Sequence, residues 1–279
     1  MGGAARLALT GWTALALAGC FPTLEGDAYT TGTVVLAPPG GAGGTRPEAL
    51  PGEVDPEGEA GSAFVELQYL GVAGWRVETP RTVLLTAPLL TRPSMLEVGR
   101  GTELAPDTAA ILEALQAWEV GPLDPAVAIL VGHGHYDHLL DTPWMASRLA
   151  PRARILGNTT TRLQALAFTE ELGLDPSRLE DVSDLAASPR SPGEWIHLAP
   201  DLRILPVVGD HAPHFAGHTL YSGIRRRPLP APPGPATEWL DGETLAFLVD
   251  VLRDDGSIGL RIYFQDAIPR EPAGTLPAE

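Results

Sequence analysis

Hydrophobic and polar positions fall into two regimes along the chain, with the change near residue 62. Beyond it, short apolar runs recur between polar breaks. "FVELQYL", "GWRVET" and "TVLLTA" predict three successive strands, the first two joined by a turn spanning Gly71 to Gly74. Asp107 can cap a helix in which Ile111, Leu112, Leu115 and Trp118 recur at i, i+1, i+4 and i+7, a face that would pack on a sheet. "AVAILVG" then reads as a buried strand, and Thr142-Pro143 as another helix start, because proline suits the first helical turn. "RIL", a helix over "TTTRLQALAFTEEL" closed by Gly173, and the runs "LRILPVVG", "TLAFLVDV" and "LRIYFQ" complete a mixed α/β pattern.

Before residue 62 the pattern differs. The leader "MGGAARLALTGWTALALAGC" places Arg6 ahead of an apolar run from Leu7 to Gly19, shorter than the roughly 18 residues that span a bilayer but suited to a signal peptide. Its end, Leu17-Ala18-Gly19-Cys20, resembles the lipobox of bacterial lipoproteins, which implies a lipid attached at Cys20 and a cell-envelope location, tethered on the periplasmic or surface side. An ordinary signal peptide, or a buried N-terminal helix with a chance cysteine, is the alternative. Cys20 is the only cysteine, so no internal disulfide can form. Residues 20–61 are rich in Gly, Pro and acid with one apolar break at "TVVL", and predict a mostly flexible tether. Residues 62–279 are then the folded domain, interrupted by a Pro-rich surface loop from Arg225 to Trp239. The triplet Arg225-Arg226-Arg227 reads as a solvated charge run, with contact to an anionic group as the rarer alternative.

Composition narrows the function. The chain has 279 residues and is 44% hydrophobic, enough for one large core. Its formal net charge is −16, from 19 basic and 35 acidic residues; removing residues 1–19 takes away Arg6 and no acid, leaving 18 − 35 = −17. Nucleic acid is therefore excluded as an expected partner.

Directly after "AVAILVG" comes "HGHYDHLLD". Three of the seven histidines fall within six residues there, together with Asp137. His133 and His135, two apart, can converge on one point, and Asp137 and His138 can face a second. Imidazole and carboxylate are ligands that divalent zinc accepts at about 2.0–2.2 Å.

His133-Gly-His135-Tyr-Asp137-His138 is a complete HxHxDH motif. On it the chain resembles the metallo-β-lactamase superfamily of metal-dependent hydrolases, over about residues 62–279. "HYDHLLD" is most similar to the branch containing N-acyl-phosphatidylethanolamine-hydrolysing phospholipase D and lactonase-like enzymes, although Leu140 before Asp141 departs from that branch's common pattern. The resemblance implies an αββα sandwich. It also implies a third histidine ligand after a later strand, which His211 supplies in "VVGDHAPHFAGHTLYSG", and a bridging aspartate, which Asp266 supplies in "RIYFQDA" with Gln265 where glycine is usual. Asp250 in "LVDV" is a weaker rival. His133, His135 and His211 would hold one cation; Asp137, His138 and Asp266 would hold a second, with Asp137 also counted among the catalytic groups. Tyr136, Asp141, Trp144, His214 and His218 are candidates to touch substrate or to back the ligands. His197 reads as structural.

That family also expects a histidine near its C-terminus, and this chain has none after His218. Either the chain is a truncated piece of a longer protein, the favoured expectation, or the second site is completed differently. The implied chemistry is attack by a metal-activated hydroxide on an ester, phosphodiester or lactone, in a small-molecule or lipid-like substrate. Two zinc ions are the first expectation, with manganese or iron as alternatives. A surface lipoprotein that binds metal or ligand without turnover is the rival reading.

Overall fold

The structure is a computed structural model that describes residues 34–36, 65–214 and 217–267. The leader, Cys20 and all of the tether except Val34–Leu36 lie outside the described residues. Among the described residues no helix is long and apolar enough to cross a membrane.

Two sheets form the frame. The first joins β1 (Val34–Leu36), β2 (Val65–Tyr69), β3 (Trp75–Glu78), β4 (Val83–Thr86), β5 (Ala126–Leu130), β6 (Arg154–Gly157) and β7 (Leu179–Asp181) in sequence order. Its pairs are antiparallel up to β4 and parallel from β4 to β7. The second is antiparallel in the order β11-β10-β9-β8, built from β8 (Ile196–Ala199), β9 (Leu202–Val208), β10 (Leu245–Leu252) and β11 (Ile258–Gln265). The apolar break "TVVL" thus contributes an edge strand, pairing Val34 with Leu67 and Leu36 with Val65.

Parallel strands need crossovers, and those crossovers carry the helices. α1 (Met95–Arg100) and α2 (Thr108–Ala117) lie between β4 and β5, while α3 (Tyr136–Leu139) and α4 (Thr142–Arg148) lie between β5 and β6. α5 (Thr159–Ala165) and α6 (Thr169–Leu172), joined by a short 3-10 turn, lie between β6 and β7. Asp107 caps α2 by accepting from the Ala110 amide, and Gly173 closes α6 at φ +63°, a left-handed conformation that glycine adopts without penalty. α2 departs from expectation at Leu112, which is 50% exposed, because it stands about 100° around the helix from the fully buried Ile111.

Burial sorts these elements into layers. Val83, Leu85, Ile129 and Ile155 pack beneath Ile111, Leu139, Met145 and Phe168 on the helical side of the first sheet. Its other face carries Val77, Leu84, Leu130 and Leu156, which meet Ile204, Phe247, Val249 and Phe264 of the second sheet. β4 is buried along its whole length because it is covered on both faces, which is why it reads as an apolar run. The expected α/β sandwich is present as helices, sheet and sheet. Among the described residues no α-helix lies on the outer face of the second sheet, where Trp195 packs against Leu205, Val207, Ala246 and Leu248.

Both sheets deliver strand ends to one edge. Thr86, Leu130 and Leu156 are in register across β4, β5 and β6. In the second sheet Val208 faces Leu245 and Gln265 faces Ala246. The Leu245 amide donates to the Gly132 carbonyl at 2.7 Å and ties the two edges together. The loops after β5, β9 and β11 therefore open onto the same place.

Candidate metal centre

Gly132 and Gly134 decide how the loop after β5 can run. A Cβ on Gly132 would stand 2.2 Å from Asp266 Oδ1 and 2.5 Å from the Leu245 carbonyl. On Gly134 it would stand 2.4 Å from the Leu240 carbonyl. Only bare backbone permits such approach, so the two glycines let the loop pass beneath the second sheet. His135 then sits at the N-cap of α3 without a capping bond from its ring, and the single turn that follows points Asp137 and His138 inward.

The rings converge. His133 lies 4.7 Å from His135, 4.7 Å from His211 and 4.2 Å from His138, centroid to centroid, and His135 lies 5.0 Å from His211. Two groups offer ligand atoms within 4.8 Å of one another: His133, His135 and His211, and His133, Asp137 and His138. Asp266 stands among them, with Oδ1 2.9 Å from His133 Nδ1 and Oδ2 3.6 Å from His138 Nδ1. The Gly132 amide donates to Asp266 Oδ2 at 2.8 Å. The six candidate ligands, all with buried side chains, come from three separate loops.

Hydrogen bonds fix which nitrogens remain. His133 has Nδ1 engaged with Asp266, and its buried Nε2 has no partner. His211 has Nδ1 engaged with the Ala212 carbonyl at 2.7 Å, which leaves the Nε2 lone pair. His135 Nε2 and His138 Nδ1 are also buried without partners. An unsatisfied buried polar atom costs about 1–3 kcal/mol, so three such nitrogens in one cluster are a liability unless something binds them. A divalent cation fits that donor set, because neutral imidazole and carboxylate are the ligands it takes.

Electrostatics point the same way. Burial, followed by repulsion from neighbouring imidazoles, holds His133 and His135 well below the usual histidine range. Burial also lowers His138, against the opposing pull of Asp266. These rings stay neutral at pH 7, the protonation state a metal requires. The same low-dielectric surroundings push Asp137 up to about 7 and raise Asp266. Gathering carboxylates where they resist ionising is costly in the protein alone, and a cation reverses that cost.

The other sequence candidates separate. His214 stacks on His211 at 4.4 Å and 22°, and lies 5.6 Å from His135. His218 is exposed, and its carbonyl accepts from the His214 amide at 2.9 Å. Tyr136 is 3% exposed and turned into the apolar cluster beneath the helices, with Trp144 packed against that cluster. Asp141 Oδ2 accepts from the Leu90 and Thr91 amides at 2.7 and 2.8 Å and so orders the loop after β4, which gives this carboxylate a structural task. Asp250 is fully buried on the outer face of the second sheet, where Arg203 and Arg261 neutralise it. His197, on β8, is exposed opposite Arg203.

Three residues that support the site carried no motif. Gln164, fully buried on α5, donates to the carbonyls of Gly134 at 2.7 Å and Leu240 at 3.3 Å, and accepts from the Leu240 amide at 2.8 Å and Arg225 Nε at 3.0 Å. Arg225 of the basic triplet is thereby a clamp. Asn158 caps α5 through Oδ1 and donates from Nδ2 to the carbonyls of Asp241 and Glu243. Asp241 accepts from the Gly223 amide with Oδ1, and its carbonyl receives the Gly134 amide. The polar N-cap at Asn158 was readable locally; the partners of Gln164 and Asp241 lie far along the chain. Tyr221 lies 6.4 Å from His135, ring to ring, and takes a left-handed backbone conformation at φ 54°.

No family model matches the sequence, and no curated protein matches it. Solved structures do. A protein described as a metal-dependent hydrolase from Parabacteroides distasonis is 11% identical over 73% of this chain and 61% of its own, with a TM-score of 0.38. A Cronobacter sakazakii metallo-β-lactamase with a HARLDQ motif is 12% identical over 75% and 61%, with a TM-score of 0.37. The metallo-β-lactamase SMB-1, bound to 2-mercaptoethanesulfonate, is 15% identical over 71% and 59%, with a TM-score of 0.37. The chain spans 59–61% of the length of these three. At such similarity, the site stands on this chain's own side chains.

Proposed function

We propose that the protein is a metal-dependent hydrolase acting on an ester, phosphodiester or lactone. The observation that carries this reading is the cluster of buried, neutral imidazoles with unpartnered nitrogens beside two buried carboxylates. His133, His135 and His211 would hold one cation, and Asp137, His138 and Asp266 a second. Zinc is the first choice for this ligand set, with manganese or iron as alternatives. When bound, such ions supply Lewis-acid activation of water and of the scissile carbonyl or phosphoryl group.

The chain's own groups do the rest. Asp266 orients His133 through Nδ1, and the Ala212 carbonyl orients His211 in the same way, so each ring presents Nε2. Asp137, raised to about 7 by burial in the metal-free protein, would give up its proton as a cation binds beside it. Gln164 and Asp241 keep the loop carrying His133 and His135 from drifting. The N-terminal leader supports a lipid anchor at Cys20 in the cell envelope, where a lipid-like substrate would be close at hand.

Hydrolysis of bis(p-nitrophenyl) phosphate, nitrocefin and a model lactone by the zinc-loaded full chain tests the reading. Turnover of at least one, lost in His135→Ala, is expected. Stoichiometric metal without turnover of any would favour the alternative, a lipoprotein that binds metal or ligand without catalysis.

A further inference from the structure

His214 and His211 are stacked neighbours with opposite polarity. His211 engages Nδ1 with a carbonyl, so that nitrogen carries the hydrogen and Nε2 keeps a lone pair. His214 does the reverse. Its Nδ1 accepts from the Leu220 amide at 3.0 Å, and because an amide N–H can only donate, Nδ1 carries no hydrogen. The ring is therefore neutral, with its proton on Nε2. No hydrogen bond among the described residues uses that Nε2–H.

The loop holds this tautomer in place from both sides. The His214 amide closes onto the His218 carbonyl at 2.9 Å while Leu220 grips the ring from beyond, and one ring face lies on His211. The half-buried imidazole stands 5.6 Å from His135, on the same wall as two of the candidate ligands. A nitrogen bearing a hydrogen cannot bind a cation. A fixed donor beside a cation site instead suits the anionic oxygen that the cation attracts.

We propose that His214 is a substrate-contacting residue whose Nε2–H donates to an anionic oxygen of the substrate, a phosphoryl oxygen or the oxyanion of a tetrahedral acyl adduct. This rests on the hydrolase reading above and selects, within it, substrates that present such an oxygen at the rim formed by His135 and His211. It also separates His214 from the ligand set, which the spacing of histidines in "DHAPHFAGH" leaves open.

Two substitutions distinguish the nitrogens. The glutamine amide nitrogen reaches the place of histidine Nε2, whereas the asparagine amide nitrogen reaches only that of Nδ1. Inorganic phosphate binding to the zinc-loaded full chain, measured by calorimetry, should weaken about 10-fold or more in His214→Asn, as expected for a hydrogen bond to a charged group, and should stay within about 3-fold of the parent in His214→Gln. Zinc stoichiometry should match the parent in both. Long-range proton–nitrogen NMR should show the Nε2–H tautomer for His214. Unchanged phosphate affinity in His214→Asn, zinc-loaded parent protein that binds no phosphate, loss of zinc in parallel with loss of phosphate, or an Nδ1–H tautomer would each overturn the proposal. A parent chain that takes up no zinc would overturn the hydrolase reading as well, which keeps the two failures apart.

Discussion

Replacing Gln164 with leucine removes the side chain that joins α5 to two loops while nearly keeping its volume. Four hydrogen bonds go: those to the carbonyls of Gly134 and Leu240, and those from the Leu240 amide and Arg225 Nε. A typical bond contributes about 0.5–1.5 kcal/mol net, and partners stranded without water cost more, about 1–3 kcal/mol each. Arg225 is only part-buried and can rehydrate, whereas the Gly134 carbonyl is buried. The added apolar contact of leucine offsets part of the loss. The sum is about 3–4 kcal/mol of destabilisation. Urea unfolding of the full chain, followed by far-UV circular dichroism, should show the midpoint falling by more than about 1 M at unchanged slope, given slopes of about 1–3 kcal/mol/M. Gln164→Glu, which sets a buried carboxylate oxygen against the two carbonyl oxygens, should cost at least as much as leucine. A leucine variant within about 0.5 kcal/mol of the parent would refute the claim that this amide bolts the site together.

Other consequences follow from the same contacts. Gly132→Ala would force a Cβ against Asp266 Oδ1 and the Leu245 carbonyl, so it should lower both stability and metal affinity; thermal unfolding and zinc calorimetry check this. Asp250→Asn should cost less than Arg203→Leu combined with Arg261→Leu. The carboxylate is fully buried, and stranding it should cost about 3–5 kcal/mol, whereas the two arginines, 25% and 43% exposed, can turn to water. Equal losses in urea unfolding would contradict that order. His214, lowered mainly by burial to about 4 from 6.5, stays neutral in the fold over a range where the unfolded chain takes up a proton. Its contribution to metal-free stability is thus present above about 6.5 and lost as the pH falls toward 4. The difference in unfolding free energy between the parent and His214→Gln should follow that sign, and a flat difference from pH 7 to 4 would contradict it.

Most strands were legible because burial on one or both faces writes itself into the sequence. β10 is buried at every position and reads as a continuous apolar run, while β2 and β3 carry mixed patterns bounded by a glycine turn. β7 has three residues, too few for any period to show. β8 is partly exposed, and its His197 hides the pattern. α1 escaped because it is six residues long with one buried side chain, although Ser94 and Glu97 form a reciprocal capping box at its start. Within the site, the histidines were conspicuous because the chain has so few. Gln164, Asn158 and Asp241 were not, because a buried amide or carboxylate acquires its meaning from carbonyls and amides up to 85 residues away. Periodicity cannot report such partners.

Zinc titration of the full chain beside His211→Ala tests the central claim most directly, since His211 reaches the cluster from a different sheet than His133 and His135. The parent should bind zinc, and the variant should lose affinity by at least the roughly 10–100-fold that removing a mere backing group produces. Equal zinc affinity in the two proteins, or none in the parent, would contradict the account.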